Sequence, residues 1–403
     1  MRVLLSTIGS RGEVQPLVAL ALRLREIGCE VRACVPPDFQ DWIERLGFAV
    51  VPIGPRLRPL VTSSPAGGAA SFSPAQRRRL IEGTVEAQFT VIPEAARDCE
   101  VVVGLGALQV AARSAAQLRG IGYLHAHFCP ITLPSPHHAP PPLGLPRDPA
   151  AGNRELWEAD ARHWDEHWGP ALNSHRRGAG LQPVDDVRRH LLTDRPILAA
   201  DPTLGPWPEP EDPGVVQTGA WLVPDERPLP VEVEAFLDRG EPPVYAGLGS
   251  MRAPGAGFGD VAVASVRALG RRVIVSRGWA DLVLPDDGTD CVAVDDVNHR
   301  ALFRRVAAVV HHGGAGTTTV AAAAGSPQLI LPQRYDQPYW AERVTQLGIG
   351  VTPGAGEPGV ESLATALTHV LRAPVVDRAR SLASSIRTDG AWSAARLVLA
   401  ESA

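Results

Sequence analysis

The stretch that most constrains this chain is Val309-Val310-His311-His312-Gly313-Gly314-Ala315-Gly316-Thr317-Thr318-Thr319-Val320. The apolar run from Val306 to Val310 predicts a buried strand, and Val320-Ala321-Ala322-Ala323-Ala324 predicts a helix. A strand that enters a helix through a tight loop of small residues builds an anion site. The unpaired N–H groups of the first helical turn point outward, the helix dipole favours negative charge, and glycine lets a phosphate approach the backbone. Taken alone, the glycines also fit an ordinary strand–helix connection. What separates the two readings is a second polar cluster downstream.

That cluster is Leu329-Ile330-Leu331-Pro332-Gln333-Arg334-Tyr335-Asp336-Gln337-Pro338-Tyr339-Trp340, read as the next strand ending in an acid–amide pair just before a helix. Strands alternating with helices imply a parallel sheet, and ligands of such sheets lie at the carboxyl ends of the strands. A carboxylate and a carboxamide beside a diphosphate suit sugar hydroxyls, which both donate and accept. The segment from His312 to Gln337 resembles the donor-binding signature of inverting nucleotide-sugar glycosyltransferases of the GT-B fold. The resemblance implies an α/β protein of two Rossmann-like domains, each a doubly wound parallel sheet, facing across a cleft. It implies that His312, Gly313, Gly314, Ala315, Gly316 and Thr317 hold the donor diphosphate and that Asp336 and Gln337 hold the sugar. The donor is then a co-substrate, and no resident cofactor is expected.

At 403 residues the chain exceeds one core and suits two domains of about 200 residues each. The expected division is 1–205 joined by a C-terminal helix at about 380–403, a proline- and acid-rich linker at 206–214, and a second domain at 215–379. A net charge of −5, with no basic block longer than Arg77-Arg78-Arg79, argues against nucleic acid as a partner. The five cysteines are scattered and without CxxC spacing, which argues for reduced thiols in a cytoplasmic protein. No cleavable signal pattern and no apolar run long enough to span a bilayer is expected. The chain contains no lysine, which excludes a Schiff-base lysine and a Walker-type phosphate lysine.

Along the chain, Arg2 to Thr7 reads as the first strand and Leu17 to Ile27 as the first helix. In the loop between them, Ser10 and Glu13 fit a capping box, and the glycines are not spaced as a dinucleotide fingerprint. The loop also resembles the first loop of the glycosyltransferase family, which makes Glu13 the candidate base toward the acceptor. It also brings Ser10, Arg11 and Gly12 to the diphosphate. Ser63 to Arg78 reads as a mobile loop. Phe128, Pro130, Pro136 and Pro141 belong to a proline-rich segment read as a stiff, exposed apolar wall for the acceptor, with His137 and His138 solvated. Trp157, Trp164 and Trp168 lie on a helical pattern and read chiefly as packing.

In the second half, strands ending at Ser250, at Arg277-Gly278-Trp279 and at Asp295-Asp296-Val297 all reach the level of the His312 loop if the sheet is parallel. Following the resemblance, Ser250 reaches the diphosphate. Arg277, Gly278, Trp279 and the backbone at Val297 hold the nucleoside. The acid pairs Asp185-Asp186, Asp286-Asp287 and Asp295-Asp296 lack the Asp-x-Asp spacing of metal-dependent sugar transferases, so no metal is expected.

Gly9-Ser10-Arg11-Gly12, Gln217 to Trp221, Pro224 to Pro228, Ser276 to Pro285 and His311 to Thr317 narrow the resemblance to glycopeptide-antibiotic glycosyltransferases of the vancomycin and teicoplanin type. The implied reaction moves a hexose from a UDP- or TDP-sugar to a hydroxyl of a crosslinked heptapeptide aglycone. One departure stands out: the family usually has aspartate where this chain has Glu13, which extends the carboxylate by about 1.5 Å. Two further readings stay open on the sequence, an epimerase of the same fold acting on a nucleotide sugar and a non-catalytic partner that binds one.

Overall fold

The computed structural model describes residues 1–63, 73–141, 148, 150–209, 214–255, 257–354 and 356–401. The chain forms two compact units, Met1–Asp201 with Pro206–Val223 and Thr388–Ala403, and Pro202–Gly205 with Pro224–Arg387.

In the first unit seven strands run parallel: β1 (Arg2–Ser6), β2 (Glu30–Val35), β3 (Ala49–Pro52), β4 (Val101–Leu105), β5 (Gly122–His127), β6 (Ile197–Leu198) and β7 (Val216–Gln217). Their order in the sheet is β3-β2-β1-β4-β5-β6-β7. The second unit has β8 (Val244–Gly247), β9 (Val273–Ser276), β10 (Cys291–Val294), β11 (Ala308–His311), β12 (Gln328–Ile330) and β13 (Gly350–Val351), also parallel, in the order β10-β9-β8-β11-β12-β13. Both orders reverse direction once, between β1 and β4 and between β8 and β11. Those are the topological switch points of doubly wound sheets, where adjacent strands send their connections to opposite faces and leave a crevice.

Helices cover both faces, so the central strands are buried throughout and read as unbroken apolar runs. Every residue of β4, β8, β9 and β11 is buried. In the second unit Phe236, Phe303 and Val309 pack on one face of the sheet, and Phe258, Val310 and Leu367 on the other. In the first, Leu4, Ile92, Val102 and Ala115 share one core. The final helix, Gly390–Glu401, belongs to the first unit and lays Trp392 under Arg23, 5.2 Å from guanidinium to ring. Backbone meets backbone there. A Cβ on Gly390 would sit 2.3 Å from the Gly219 carbonyl, so only glycine fits.

Several expectations are corrected. The strand at Val216–Gln217 completes the first sheet, so the second unit's run of elements starts after Val223 and not at residue 215. Of the linker at 206–214, residues 210–213 lie outside the described residues and the rest groups with the first unit. The segment that leaves it is Pro202–Gly205, tied to the second unit where Arg343 Nε donates to Leu204 O at 2.8 Å. The first helix spans Arg11–Glu26, starting earlier than its apolar pattern does, because Ser10 caps it and the chain continues helical through Pro16. The single C-terminal helix becomes two, Ala373–Ala383 and Gly390–Glu401. In the loop expected over 63–78, residues 64–72 lie outside the described residues, and Pro74–Ala95 is helical behind a Ser73–Gln76 capping box. Among the described residues no helix is long and apolar enough to cross a membrane. All five cysteines are buried free thiols.

Candidate active site

At the carboxyl end of β11, His311 is wholly buried and fixed as a tautomer. Gly313 N donates to its Nδ1 at 3.1 Å, so the proton resides on Nε2, which faces Gln328 Oε1 at 2.9 Å. This bond bends the chain through Gly313, at φ 86°, where a Cβ would lie 2.6 Å from Ile330 Cγ2. No other residue fits that position without strain.

The next side chain, His312, lies against the helix start. Its Nε2 would be 2.5 Å from a Cβ on Gly314, and its Cε1 3.3 Å from one on Gly249. Burial, and secondarily the positive charge of Arg334, hold its pKa down to about 4, so at neutral pH it is an uncharged hydrogen-bonding group. Its Nδ1 is buried and has no hydrogen-bond partner among the described residues. The helix that follows, Ala315–Ala324, is capped by Gly314 with no side-chain bond to its first N–H groups. Thr318 and Thr319 turn their hydroxyls back onto Gly314 O and Ala315 O at 3.0 and 2.8 Å. Thr317 makes no such bond, which singles out one of the three threonines as open to a ligand.

The loops after β8 and β9 are joined by their backbones: Trp279 N donates to Gly249 O at 2.8 Å. Gly278, at φ 54°, passes so near that a Cβ would lie 2.5 Å from Gly249 O. Ser250 is buried in the turn after β8, and Trp279 is half-buried. Arg277 is exposed and paired with Asp295 at 3.3 Å. After β10, Val297 and Asn298 are buried. Asn298 caps the helix His299–Leu302 and donates to Asp225 O and Arg227 O at 3.0 and 2.8 Å.

After β12, Asp336 Oδ2 accepts from Trp340 Nε1 at 2.9 Å. Burial pushes its pKa up to about 6, with the Trp340 bond opposing. Gln337, expected to face the sugar, has a second engagement within its own loop. It is buried, and its Oε1 accepts from Gln333 N at 2.7 Å and Arg334 N at 3.1 Å, clasping the loop. Only its Nε2 is left for a ligand.

Thus the second unit brings Ser250, Arg277, Gly278, Trp279, Val297, His312 to Thr317, Asp336 and Gln337 to one sheet edge, around the switch between β8 and β11. Ser10, Arg11, Gly12 and Glu13 lie in the first unit, at its own switch point between β1 and β4.

Glu13 does not close the expected capping box. Ser10 Oγ accepts from Gly12 N at 3.3 Å and donates to Glu13 Oε2 at 3.0 Å. The glutamate therefore folds back over two glycines. A Cβ on Gly9 would lie 2.5 Å from its Cδ, and one on Gly106 3.2 Å from its Cγ. The extra methylene relative to aspartate is taken up by this fold-back. Arg11 lies over the Trp42 ring at 5.3 Å.

The acceptor wall is only partly as expected. Pro136 is exposed and Phe128 half-buried against Trp221, but Pro130 and Pro141 are buried, because the segment folds onto the unit instead of standing free. Pro142 to Gly144 lie outside the described residues. His138 is half-buried, not solvated, its backbone oxygen accepting from Trp157 Nε1 at 2.9 Å. Trp164 and Trp168 stack at 5.6 Å against the first unit's Leu172 and Val187, as packing.

The acid pairs are otherwise engaged. Asp186 caps a helix at Arg189 N, and Asp295 and Asp296 pair with Arg277 and Arg227. Asp286, Asp290 and Cys291 cluster within 4.8 Å of one another. Arg267 bridges both acids at 2.7 and 2.8 Å and supplies the positive charge there.

Comparison with known proteins places this geometry. Residues 3–127 match the glycosyltransferase family 28 N-terminal domain, and residues 274–393 match the erythromycin biosynthesis protein CIII-like C-terminal domain. The chain is 51% identical to glycosyltransferase GtfE of Amycolatopsis orientalis, over 99% of this chain and 97% of that one. It is 50% identical, with the same coverage, to vancomycin aglycone glucosyltransferase of the same organism. Among solved structures, the glycotransferase of kitacinnamycin superposes with a TM-score of 0.75 at 18% identity, covering 99% of this chain and 98% of that one. The calicheamicin glycosyltransferase CalG4 gives 0.69 at 18% identity, over 99% and 98%, and both share the fold. The chain is a GT-B glycosyltransferase and belongs to the glycopeptide-antibiotic glycosyltransferase family.

Proposed function

We propose that the enzyme transfers a hexose, with inversion, from a UDP- or TDP-sugar to a hydroxyl of a vancomycin-type heptapeptide aglycone. The observation that carries the donor half is the β11 turn. An uncharged His312, the unbonded Thr317 hydroxyl and the uncapped N–H groups of Ala315, Gly316 and Thr317 lie on one loop beside the switch point. As the sugar leaves, charge grows on the diphosphate. Fixed donors aimed at such charge contribute about 3–4 kcal/mol each where single ones have been removed from other enzymes.

Ser250 supports the same group. Trp279, Arg277, Gly278 and the Val297 backbone hold the nucleoside. Asp336 accepts from sugar hydroxyls and Gln337 donates through Nε2. In the first unit Glu13 takes the acceptor proton while that oxygen attacks the anomeric carbon. A phenol has a pKa of about 10, so it gains from a positioned base. Phe128 and Pro136 offer the aglycone apolar contact. The acceptor class is supported by the half-identity to a vancomycin aglycone glucosyltransferase. The catalytic charges are supplied by side chains and amides, and no metal enters the scheme.

The test is a mass-spectrometric assay of the full chain with crosslinked aglycone against a panel of UDP- and TDP-sugars. One donor should give a mono-glycosylated product of inverted anomeric configuration. A retained configuration, or no transfer from any donor that binds, would refute it.

A further inference from the structure

The donor edge described above has a charge problem. A nucleoside diphosphate brings two or more negative charges, yet the second unit has no lysine to meet them, and His312 is neutral at working pH. Arg277, the exposed arginine after β9, is paired with Asp295. Arg334 is different. A guanidinium is always cationic, and this one has no carboxylate partner among the described residues. Its Nη2 rests on the Met251 thioether at 3.8 Å, and Met251 directly follows Ser250.

The backbone that carries it is held in place. Gln337 Oε1 grips Gln333 N and Arg334 N, and Gln333 Nε2 donates to Arg252 O at 2.9 Å, tying this loop to the one after β8. Gly313 packs against the same helix start, where a Cβ would lie 3.3 Å from Gln337 O. The clasp therefore fixes the loop of Arg334 beside both the His312 turn and the Ser250 turn. The field of Arg334 at the His312 ring is consistent with that closeness. A free cation held between two anion-binding turns, on a weak neutral contact that costs little to leave, is placed to meet a ligand's charge.

We propose that Arg334 contacts the donor diphosphate and supplies, from the second unit, the full positive charge that neither lysine nor His312 provides there. This rests on the donor reading given above and adds a residue to it. Gln337, in this view, positions Arg334 through its backbone in addition to facing the sugar.

The experiment is calorimetric titration of the full chain with uridine and thymidine diphosphates and their parent nucleosides, for wild type, Arg334→Gln, Arg334→Lys and His312→Ala. Arg334→Gln should weaken diphosphate binding by about 10-fold or more, the size of a lost charged hydrogen bond. Nucleoside binding should be unchanged, Arg334→Lys should recover part of the loss, and the deficit should shrink at high salt. Arg334 is exposed, and an unchanged melting temperature checks that Arg334→Gln folds. If Arg334→Gln binds diphosphate as wild type does while His312→Ala does not, the proposal fails and the donor reading stands. If both bind as wild type, the donor reading fails as well. Equal weakening of nucleoside and diphosphate would mean a structural effect and would also overturn the proposal.

Discussion

Glu13→Gln removes a charge and keeps a shape. In the structure the Glu13 carboxylate accepts from Ser10 Oγ at 3.0 Å and lies over Gly9 and Gly106. An amide oxygen accepts the same bond and fills nearly the same volume, so the helix Arg11–Glu26 keeps its start. What disappears is proton acceptance. A positioned general base contributes about 100- to 10,000-fold, or roughly 3–5 kcal/mol of barrier. At saturating aglycone, kcat should fall by that factor. The donor Kd should stay within about twofold, because Glu13 itself is assigned no donor contact and the residues assigned to the nucleoside and the sugar belong to the other unit. An acceptor phenol made more acidic by electron-withdrawing groups needs less help, so it should lose less rate in Glu13→Gln than an ordinary phenol. The companion change, Glu13→Asp, retracts the carboxylate by about 1.5 Å and out of the Ser10 bond, for an expected loss on the order of 100-fold. Near wild-type turnover in Glu13→Gln would remove Glu13 from the base role. A faster Glu13→Asp would mean the fold-back is a compromise.

Three other outcomes are expected. Gly313→Ala places a methyl against Ile330 at a φ of 86°; left-handed backbone costs about 1–2 kcal/mol and overpacking about 1–3 more, read by denaturant titration, together with loss of diphosphate binding. Wild-type stability would contradict the turn geometry. Asp336 has a folded pKa raised to about 6 by burial, so its ionised form destabilises the fold: stability present below the unfolded value near 4 is lost as pH rises through 6. Asp336→Asn should therefore raise Tm at pH 7.5, by up to ~3 kcal/mol in stability, while weakening sugar recognition; in the wild type the donor KM should climb as pH falls below 6. An unshifted Tm and a flat KM profile would oppose this. Turnover should persist undiminished in excess chelator, and abolition reversed by Mg²⁺ would refute a scheme built on side chains and amides.

Much of the fold was legible because buried parallel strands are short apolar runs rich in β-branched residues and bounded by turn residues. Val101 to Leu105 and the run ending at Val310 read directly as β4 and β11. The two shortest strands of the first sheet were not legible: Ile197–Leu198 and Val216–Gln217 are too short to carry a pattern, and missing β7 moved the expected domain boundary. At the site, residue types pointed to the right loops but not to their internal wiring. Nothing local to Gln337 says that its oxygen closes the loop on Gln333 and Arg334, or that Gln328, an isolated amide before an apolar run, fixes the tautomer of His311. Trp340 as the partner of Asp336 had a usable signal, since residues four apart on a helix face each other. The fold-back of Glu13 depends on Gly106, some ninety residues away, and spacing alone cannot reveal it.

The most direct test of the central claim is a crystal structure of the enzyme with its nucleoside diphosphate. The diphosphate oxygens should lie within hydrogen-bonding distance of the Gly316 and Thr317 N–H groups and of His312, with the sugar-bearing end toward Asp336. A diphosphate bound away from the Gly313–Thr317 turn would contradict the account.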